Sequence, residues 1–364
     1  HQLHERERRG VEAFAAGVNA GRAHGSSSDA HEFALLRRSP TPFTAADCLG
    51  IFLLQAFSLA SNWDAELARL AVFQHDGPEA LEALDPGYPE WHPVTSPPGT
   101  PAGPAVAGLA DDIARLRAAL GGGGSNNWAV AGSRTTSGRP IVANDPHLAP
   151  VLPSHWYLAH AQAPEWSAAG AMLTGTPGFG SAHNGHVAWG VTAGLVDNTD
   201  LFLERIGPDG RSVLRGEEWV ECEVRRETIE VRRASPVIEE VLVTPHGPIV
   251  GPAMPHTPDA ISMAATWLRP SGVSALFELV RARTTRELRD ALCDWHGPPL
   301  NVAFADADGS IGWKLAGEAP LRKRGIGAIP AAGWDLEYGW LEGRVPFEDM
   351  PEAFDPEAGY LATA

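Results

Sequence analysis

The chain has 364 residues but only three cysteines, Cys48, Cys222 and Cys293. Three scattered thiols cannot build a disulfide framework or a zinc ribbon, and an odd number leaves at least one unpaired within the chain. Positive charge is also scarce: 28 Lys and Arg stand against 45 Asp and Glu, a formal net charge of -17. A surface of that sign repels nucleic acid and anionic membranes, so neither is expected as the main partner. Long apolar runs are missing too. The longest, CLGIFLLQAF, is about half of the ~20 residues that cross a bilayer, and reads as a buried helix. The opening HQLHERERRG has no initiator methionine and no apolar signal core, and a helical pattern is already in progress. It reads as the start of a fragment or processed product, and says nothing about compartment.

What is present is apolar residue in quantity, 44% of the chain, enough to bury the core of one large or two ordinary domains. Val11, Phe14 and Val18 recur at helical spacing, and Thr44 to Asp47 is a capping box opening a second helical region over residues 44 to 74. Residues 85 to 104, DPGYPEWHPVTSPPGTPAGP, cannot sustain a helix or a central strand and read as a linker or exposed loop. Leu109, Ile113, Leu116 and Leu120 then predict a short amphipathic helix that Gly121 stops. Beyond Ser125 the pattern turns to strands: NWAVAGSR and IVAND as a hairpin, then VAWGVTAG, RETIEVRR, VIEEVLV and ISMAATWL. A helix is predicted over residues 273 to 296, and NVAFADADGSIGW as a hairpin turned at Asp308-Gly309. Pattern alone therefore gives an α-rich first part and a β-rich second part, with Trp128 and Trp189 placed in the core by their strand alternation.

The stretch GGGGSNNWAV, residues 121 to 130, carries the chemical question. A phosphate cradle needs a strand before the glycines and a helix after them, and here the order is reversed. A flexible spacer separates independent domains, yet this run joins a helix to a strand. The third reading makes Ser125 a nucleophile. A serine hydroxyl needs a base, and its own α-amine, titrating near ~8, supplies one once the preceding peptide bond is cut. Glycines before it help the uncut chain reach the backbone shape that brings the hydroxyl to the Gly124 carbonyl.

The SNNWAV start after glycine resembles the β-chain start of the penicillin acylase family, N-terminal-nucleophile amidohydrolases. AFAAGVNA and AHEFALLRRSPTPFTAADCL are similar to its α-chain. GTPGFGSAHNGHVAWGVTAGLVDNTDLFLERI and WDLEYGWLEGRVPFEDMPEAFDPEAGYLATA are similar to its β-chain. The resemblance implies an α+β fold, the four-layer αββα sandwich, in an incomplete family chain. Residues 1 to 84 would be a partial α-chain, 85 to 124 a spacer removed or cut on maturation, and 125 to 364 a partial β-chain. It further implies cleavage between Gly124 and Ser125, a periplasmic or secreted location, and no organic cofactor.

The family pattern assigns the catalytic positions. Ser125 is the nucleophile and His147 the residue that aligns the amine or the acyl intermediate. Ala193 and Asn301 are the backbone and side-chain donors to the oxyanion, and Arg322 is a supporting arginine. Leu148, Trp156 and Phe179 fall in the segments that line the acyl pocket, and their character implies an apolar acyl group; His147 leans away from a penicillin G specialist, leaving fatty-acyl and cephalosporin-like amides open. The resemblance also implies one structural calcium held by Glu66, Asp197, Thr199 and Asp200, against the plainer reading of a solvated acidic turn. His183 and His186 in HNGH lack a third ligand and read as structural, and the DADG turn at 306 to 309 lacks the glutamate of an EF-hand. The expected partners are a small acyl amide and the two chains of one precursor. The rival readings are a secreted tryptophan-rich binding module and an inactive acylase fragment.

Overall fold

The computed structural model describes residues 3–25, 30–59, 62–80, 124–251, 259–269 and 272–364. The proline-rich segment and the amphipathic helix expected before the glycines lie outside the described residues. The first part is helical as expected, with α1 (Glu5–Gly25), α2 (His31–Leu36), α3 (Ala45–Leu59) and α4 (Trp63–Asp76). Val11 and Ala15 bury the inner stripe of α1, while Val18, expected beside them, is exposed. The capping box before α3 is made: Asp47 Oδ2 accepts the Thr44 N–H at 2.7 Å, and the Asp47 N–H reaches Thr44 Oγ1 at 3.3 Å. By length and composition alone, the stretch Ala45–Asp76 holds an 18-residue window apolar enough to cross a membrane, with mean hydropathy 1.2. Within the fold, α3 sends Leu49 and Phe52 into one core and α4 sends Trp63, Leu67, Leu70 and Phe73 into another; CLGIFLLQAF, expected as a buried helix, is helical but buries one face only, with Leu54 exposed.

The second part begins with the expected hairpin of β1 (Ser125–Val130) and β2 (Ile141–Pro146). It continues through β3 (Trp156–Ala163), β4 (Trp166–Leu173), β5 (Phe179–His183), β6 (Val187–Ala193) and β7 (Thr199–Arg205). Next come β8 (Ser212–Arg215), β9 (Glu218–Glu221), β10 (Glu223–Ile229), β11 (Val237–Val243) and β12 (Asp259–Ala265). Two short helices, α5 (Ala275–Glu278) and α6 (Thr285–Ala291), lead to β13 (Leu300–Asp306), β14 (Ile311–Ala316), β15 (Pro320–Arg322) and β16 (Ala331–Ala332). The last strands are β17 (Trp340–Arg344), β18 (Glu352–Phe354) and β19 (Tyr360–Thr363).

The helix expected over 273 to 296 is broken. Asn184 Nδ2 donates to the carbonyls of Val280 and Ala282 at 3.1 and 2.6 Å, taking acceptors that a continuing helix would use. Thr284 then opens α6 afresh, its Oγ1 accepting the Glu287 N–H at 3.1 Å. The Asp308-Gly309 turn forms as expected, with Asp306 Oδ1 accepting the N–H groups of Asp308 and Ser310.

A seven-stranded sheet of order β18-β14-β13-β6-β5-β4-β3 forms the centre. On one face, α1, α3 and the α5–α6 segment close a core around Trp189, Phe179, Val302 and Phe304. On the other face Ala303, Ala305 and Ile311 meet Ala129 of the three-stranded sheet β19-β1-β2. The expected α+β class is therefore observed, with three layers, α then β then β, among the described residues. The outer face of β19-β1-β2 carries Trp128, Ile141 and Tyr360, all exposed. Trp128 is thus corrected from core to surface: along β1 the inward positions belong to Asn127 and Ala129, and the indole points away from the partner sheet. Trp189, 2% exposed, is the core residue expected.

Candidate active site

Ser125 opens β1, which lies between β2 and β19 in its sheet. Asn127, fully buried, anchors the strand by donating from Nδ2 to the carbonyls of Gly190 at 3.0 Å and Asn301 at 3.2 Å. Asn144 does the same for β2, donating to Val191 O at 2.7 Å while its Oδ1 accepts the Val191 N–H at 3.2 Å. A Cβ on Gly190 would lie 2.6 Å from that of Asn144, so this approach requires glycine there. Two asparagines thus lock the hairpin onto β6 and β13, the strands that carry Ala193 and Asn301.

At the hairpin mouth the Ser125 hydroxyl donates to the Gly124 carbonyl at 2.7 Å. The backbone N–H of His147 donates to the same oxygen at 2.9 Å. The His147 imidazole is half-exposed and faces Asp145, Nε2 to Oδ2 3.1 Å, so it is the main chain of His147 that engages the Gly124–Ser125 linkage. Ala193 pairs with Leu300 across the central sheet. Asn301 donates from Nδ2 to Ala193 O at 3.0 Å and Thr192 Oγ1 at 3.3 Å, and its Oδ1 accepts the Trp313 indole N–H at 3.1 Å. Trp313 thereby fixes which way the amide faces.

A cleft of about 200 Å³ opens beside Ser125. Leu148, Trp156 and Phe179 are among the residues that line it, with Gly124, Ser125 and Ala193. The roof comes from α3, which contributes Phe52, Gln55 and Leu59. Phe52 meets Trp295 edge-on, ring centroids 5.5 Å apart.

Arg322 does not line this cleft. It forms a fork on Asp200, Nε to Oδ2 and Nη2 to Oδ1 both at 2.8 Å, and stands 2.9 Å from Asp197 Oδ1 as an ion pair without hydrogen-bond alignment. Glu66 enters the cluster from α4, fully buried; its Oε2 accepts the Leu201 N–H at 3.1 Å and its Oε1 has no partner. Burial, and next the neighbouring Asp200 charge, push the Glu66 carboxyl well above its ordinary range. Burial also lifts Asp197 to about 7, against the pull of Arg322. Thr199 is buried, its Oγ1 donating to Asn198 Oδ1 at 3.3 Å.

Calcium takes six to eight oxygen ligands at about 2.3–2.6 Å; of the four residues expected to hold it, Asp200 is forked by Arg322, while Glu66 Oε1 and Asp197 Oδ1 are buried without a hydrogen bond. Among the described residues no group of three or more His, Cys, Asp or Glu side chains is arranged for a metal ion, HNGH included.

Comparison with known proteins bears on the whole of this architecture. A model of the penicillin amidase family matches residues 1–364. The chain belongs to that family. It is 33% identical to the acyl-homoserine lactone acylase QuiP of Pseudomonas aeruginosa over 99% of this chain and 45% of that protein. To the penicillin acylase 2 proenzyme of Pseudomonas sp. strain SE83 it is also 33% identical, over 97% of this chain and 47% of the other. The fold is similar to that of a thermostable penicillin G acylase from Alcaligenes faecalis, with TM-score 0.58 and 25% identity, covering 66% of this chain and 43% of that one. The chain spans about half the length of the curated relatives it matches.

The positioning residues Asn127, Asn144 and Trp313 and the roof residue Gln55 were not singled out from sequence. A signal existed for the asparagines: each shares its strand face with an apolar residue, Asn127 with Ala129 and Asn144 with Val142, where an inward polar side chain needs a specific partner.

Proposed function

We propose that the protein is an N-terminal-nucleophile amidohydrolase that cleaves itself between Gly124 and Ser125 and then hydrolyses the amide of an N-acylated small molecule. The observation that carries this reading is the Ser125 hydroxyl, 2.7 Å from the Gly124 carbonyl oxygen at the mouth of an apolar cleft. In self-cleavage Oγ adds to the Gly124 carbonyl carbon, and charge builds on the oxygen that the His147 N–H already contacts. The C–N bond breaks, the Ser125 nitrogen takes a proton, and water hydrolyses the resulting ester to a Gly124 carboxylate and a restored hydroxyl. Ser125 then carries a free amine within reach of its own Oγ.

In turnover that amine accepts the hydroxyl proton as Oγ attacks the substrate carbonyl and returns it to the leaving amine as the C–N bond breaks; water then hydrolyses the acyl ester on Oγ, releasing the acid and restoring the hydroxyl. The Ala193 N–H and Asn301 Nδ2 are the proposed oxyanion donors. In the uncut chain both Asn301 N–H bonds are occupied, by Ala193 O and Thr192 Oγ1. One of them must be exchanged for substrate.

Residues 1–84, 85–124 and 125–364 are proposed as α-chain, spacer and β-chain, and the name proenzyme on one relative supports such processing. Contacts across the proposed chains favour their staying together: Glu7 Oε1 accepts the Val273 N–H at 2.8 Å, and Asn62 Nδ2 donates to Gly327 O at 3.1 Å. No charged side chain stands among the described residues lining the cleft, which favours a neutral, largely apolar acyl group over a carboxylated one. The relatives' names, acyl-homoserine lactone acylase and penicillin acylase, lie within that class of N-acyl amide. Mass spectrometry of the whole protein, incubated with a panel of acyl amides, tests the reading. A new amino terminus at Ser125 and acyl adducts on that residue are expected; an intact Gly124–Ser125 bond in an active enzyme would overturn it.

A further inference from the structure

We propose that Thr363 and Thr192 are positioning residues for the Asn301 amide. A ring of hydrogen bonds through their two hydroxyls holds one Asn301 N–H on Thr192 Oγ1, and that bond is the one handed over to the substrate oxygen. The inference rests on the acylase reading and adds two residues to its site. The argument begins at Asn127, which is fully buried. Its Nδ2 donates to two carbonyls, of Gly190 at 3.0 Å and Asn301 at 3.2 Å, which turns Oδ1 the other way, onto the Thr363 hydroxyl that donates to it. A hydroxyl has one hydrogen to give. Thr363 gives its own to Asn127, so in the 2.9 Å contact between Thr363 and Thr192 it is Thr192 that donates. Thr192 has then spent its hydrogen too. Toward Asn301 it presents lone pairs alone, and these receive the Nδ2 N–H at 3.3 Å.

Because Asn127 donates back to the main-chain carbonyl of Asn301, the bonds close on themselves and run in one sense only. The ring spans the two packed sheets: Asn301 faces Thr192 across β13 and β6, and Asn127 faces Thr363 across β1 and β19. It therefore ties the strand that carries Ser125 to the amide proposed to meet the oxyanion. It also decides which Asn301 bond yields. The amide is clamped elsewhere, its second N–H on Ala193 O at 3.0 Å and its Oδ1 under the Trp313 indole N–H at 3.1 Å. Thr192, in contrast, lines the cleft. When a substrate oxygen takes the N–H from Thr192, the threonine loses an accepted bond but keeps its own hydrogen on Thr363, so no buried donor is stranded. Without the Thr363 hydroxyl, the Thr192 hydrogen loses its acceptor and the hydroxyl is free to turn. Thr363 thus acts on Asn301 through Thr192, and bonds in series of this kind polarise one another.

The test is a double-mutant cycle on the whole protein, with steady-state hydrolysis of decanoyl amides as one readout. Thr363→Val, close to isosteric, should lower kcat about three- to tenfold, the worth of one hydrogen bond, with KM unmoved. Thr363→Ala should repeat that loss without the added methyl, and Thr363→Ser should restore kcat. In an Asn301→Ala background Thr363→Val should cost nothing more, because the group it aims is gone. The second readout needs no turnover: in protein labelled with 15N-asparagine, the side-chain amide signals that vanish in Asn301→Ala should shift in Thr363→Val and return in Thr363→Ser. An unchanged kcat, an equal loss in both backgrounds, or unmoved Asn301 signals would each overturn the proposal. Shifted signals in a protein that hydrolyses no acyl amide would keep the ring and remove the acylase reading. Hydrolysis with unmoved signals would do the reverse.

Discussion

The backbone N–H of His147 donates to the carbonyl oxygen of Gly124 at 2.9 Å, across the mouth of the β1–β2 hairpin. The donor comes from the main chain, so the register that pairs Ser125 with Pro146 sets its position, whatever the imidazole does. The oxygen it contacts belongs to the bond proposed to break.

His147→Ala keeps that N–H and should still yield a chain beginning at Ser125, whereas Ser125→Ala should remain one uncut polypeptide. Intact mass of the two purified variants distinguishes them. Cleaved Ser125→Ala protein would rule out self-processing by the hydroxyl.

Asn301→Ala removes the proposed side-chain donor and should lower kcat by on the order of 10²–10³ with little change in KM. Trp313→Phe leaves the donor but frees its orientation, and a smaller loss of kcat is expected. If steady-state kinetics gave a purely KM effect for Asn301→Ala, the oxyanion assignment would fail.

Arg322→Met leaves Asp200 and Asp197 without their guanidinium, and Asp200 is only 5% exposed. Breaking a buried pair from one side costs about 3–5 kcal/mol, and urea denaturation should show a loss of that order. Arg322 offsets only one of the three carboxylates Glu66, Asp197 and Asp200, so a rise in Tm on adding calcium would show a cation joining the cluster. A loss below about 1 kcal/mol would place the pair among surface bridges of little consequence.

His246 stacks on Phe202 with ring centroids 3.8 Å apart, and burial first, then the Arg215 charge, lower its pKa from 6.5 to about 3. The unfolded chain therefore takes up a proton that the native chain refuses. This contribution to stability is complete above pH 6.5 and is lost as pH falls through about 3, at up to about 1.4 kcal/mol per unit. His246→Phe should flatten that part of the acid limb relative to the native protein. Parallel acid limbs in the two proteins would refute the assignment.

The layering could be read from sequence wherever local rules decide it. The Thr44 to Asp47 capping box, the β1–β2 hairpin and the Asp308-Gly309 turn follow from short-range chemistry. The glycine run suited one of three chemical settings, and Ser125 behind it stands at the mouth of the apolar cleft. Features fixed by distant partners were not legible. The helix over 273 to 296 breaks because Asn184, about a hundred residues earlier, captures its carbonyls. Trp128 faces outward because Asn127 finds acceptors on β6 and β13. Arg322 turns toward Asp200 of β7 and Asp197 of the loop before it, partners more than a hundred residues earlier.

A severed backbone ordinarily frays at the new end, since a terminus with few neighbours regains the freedom that folding took from it. β1 is stitched along both flanks, from Ser125 to Val130 by β2 and from Asn127 to Val130 by β19. Scission before Ser125 would release slack on the glycine side alone. The newborn ammonium would inherit a seat already built for it, needing only to turn about its own Cα–N bond.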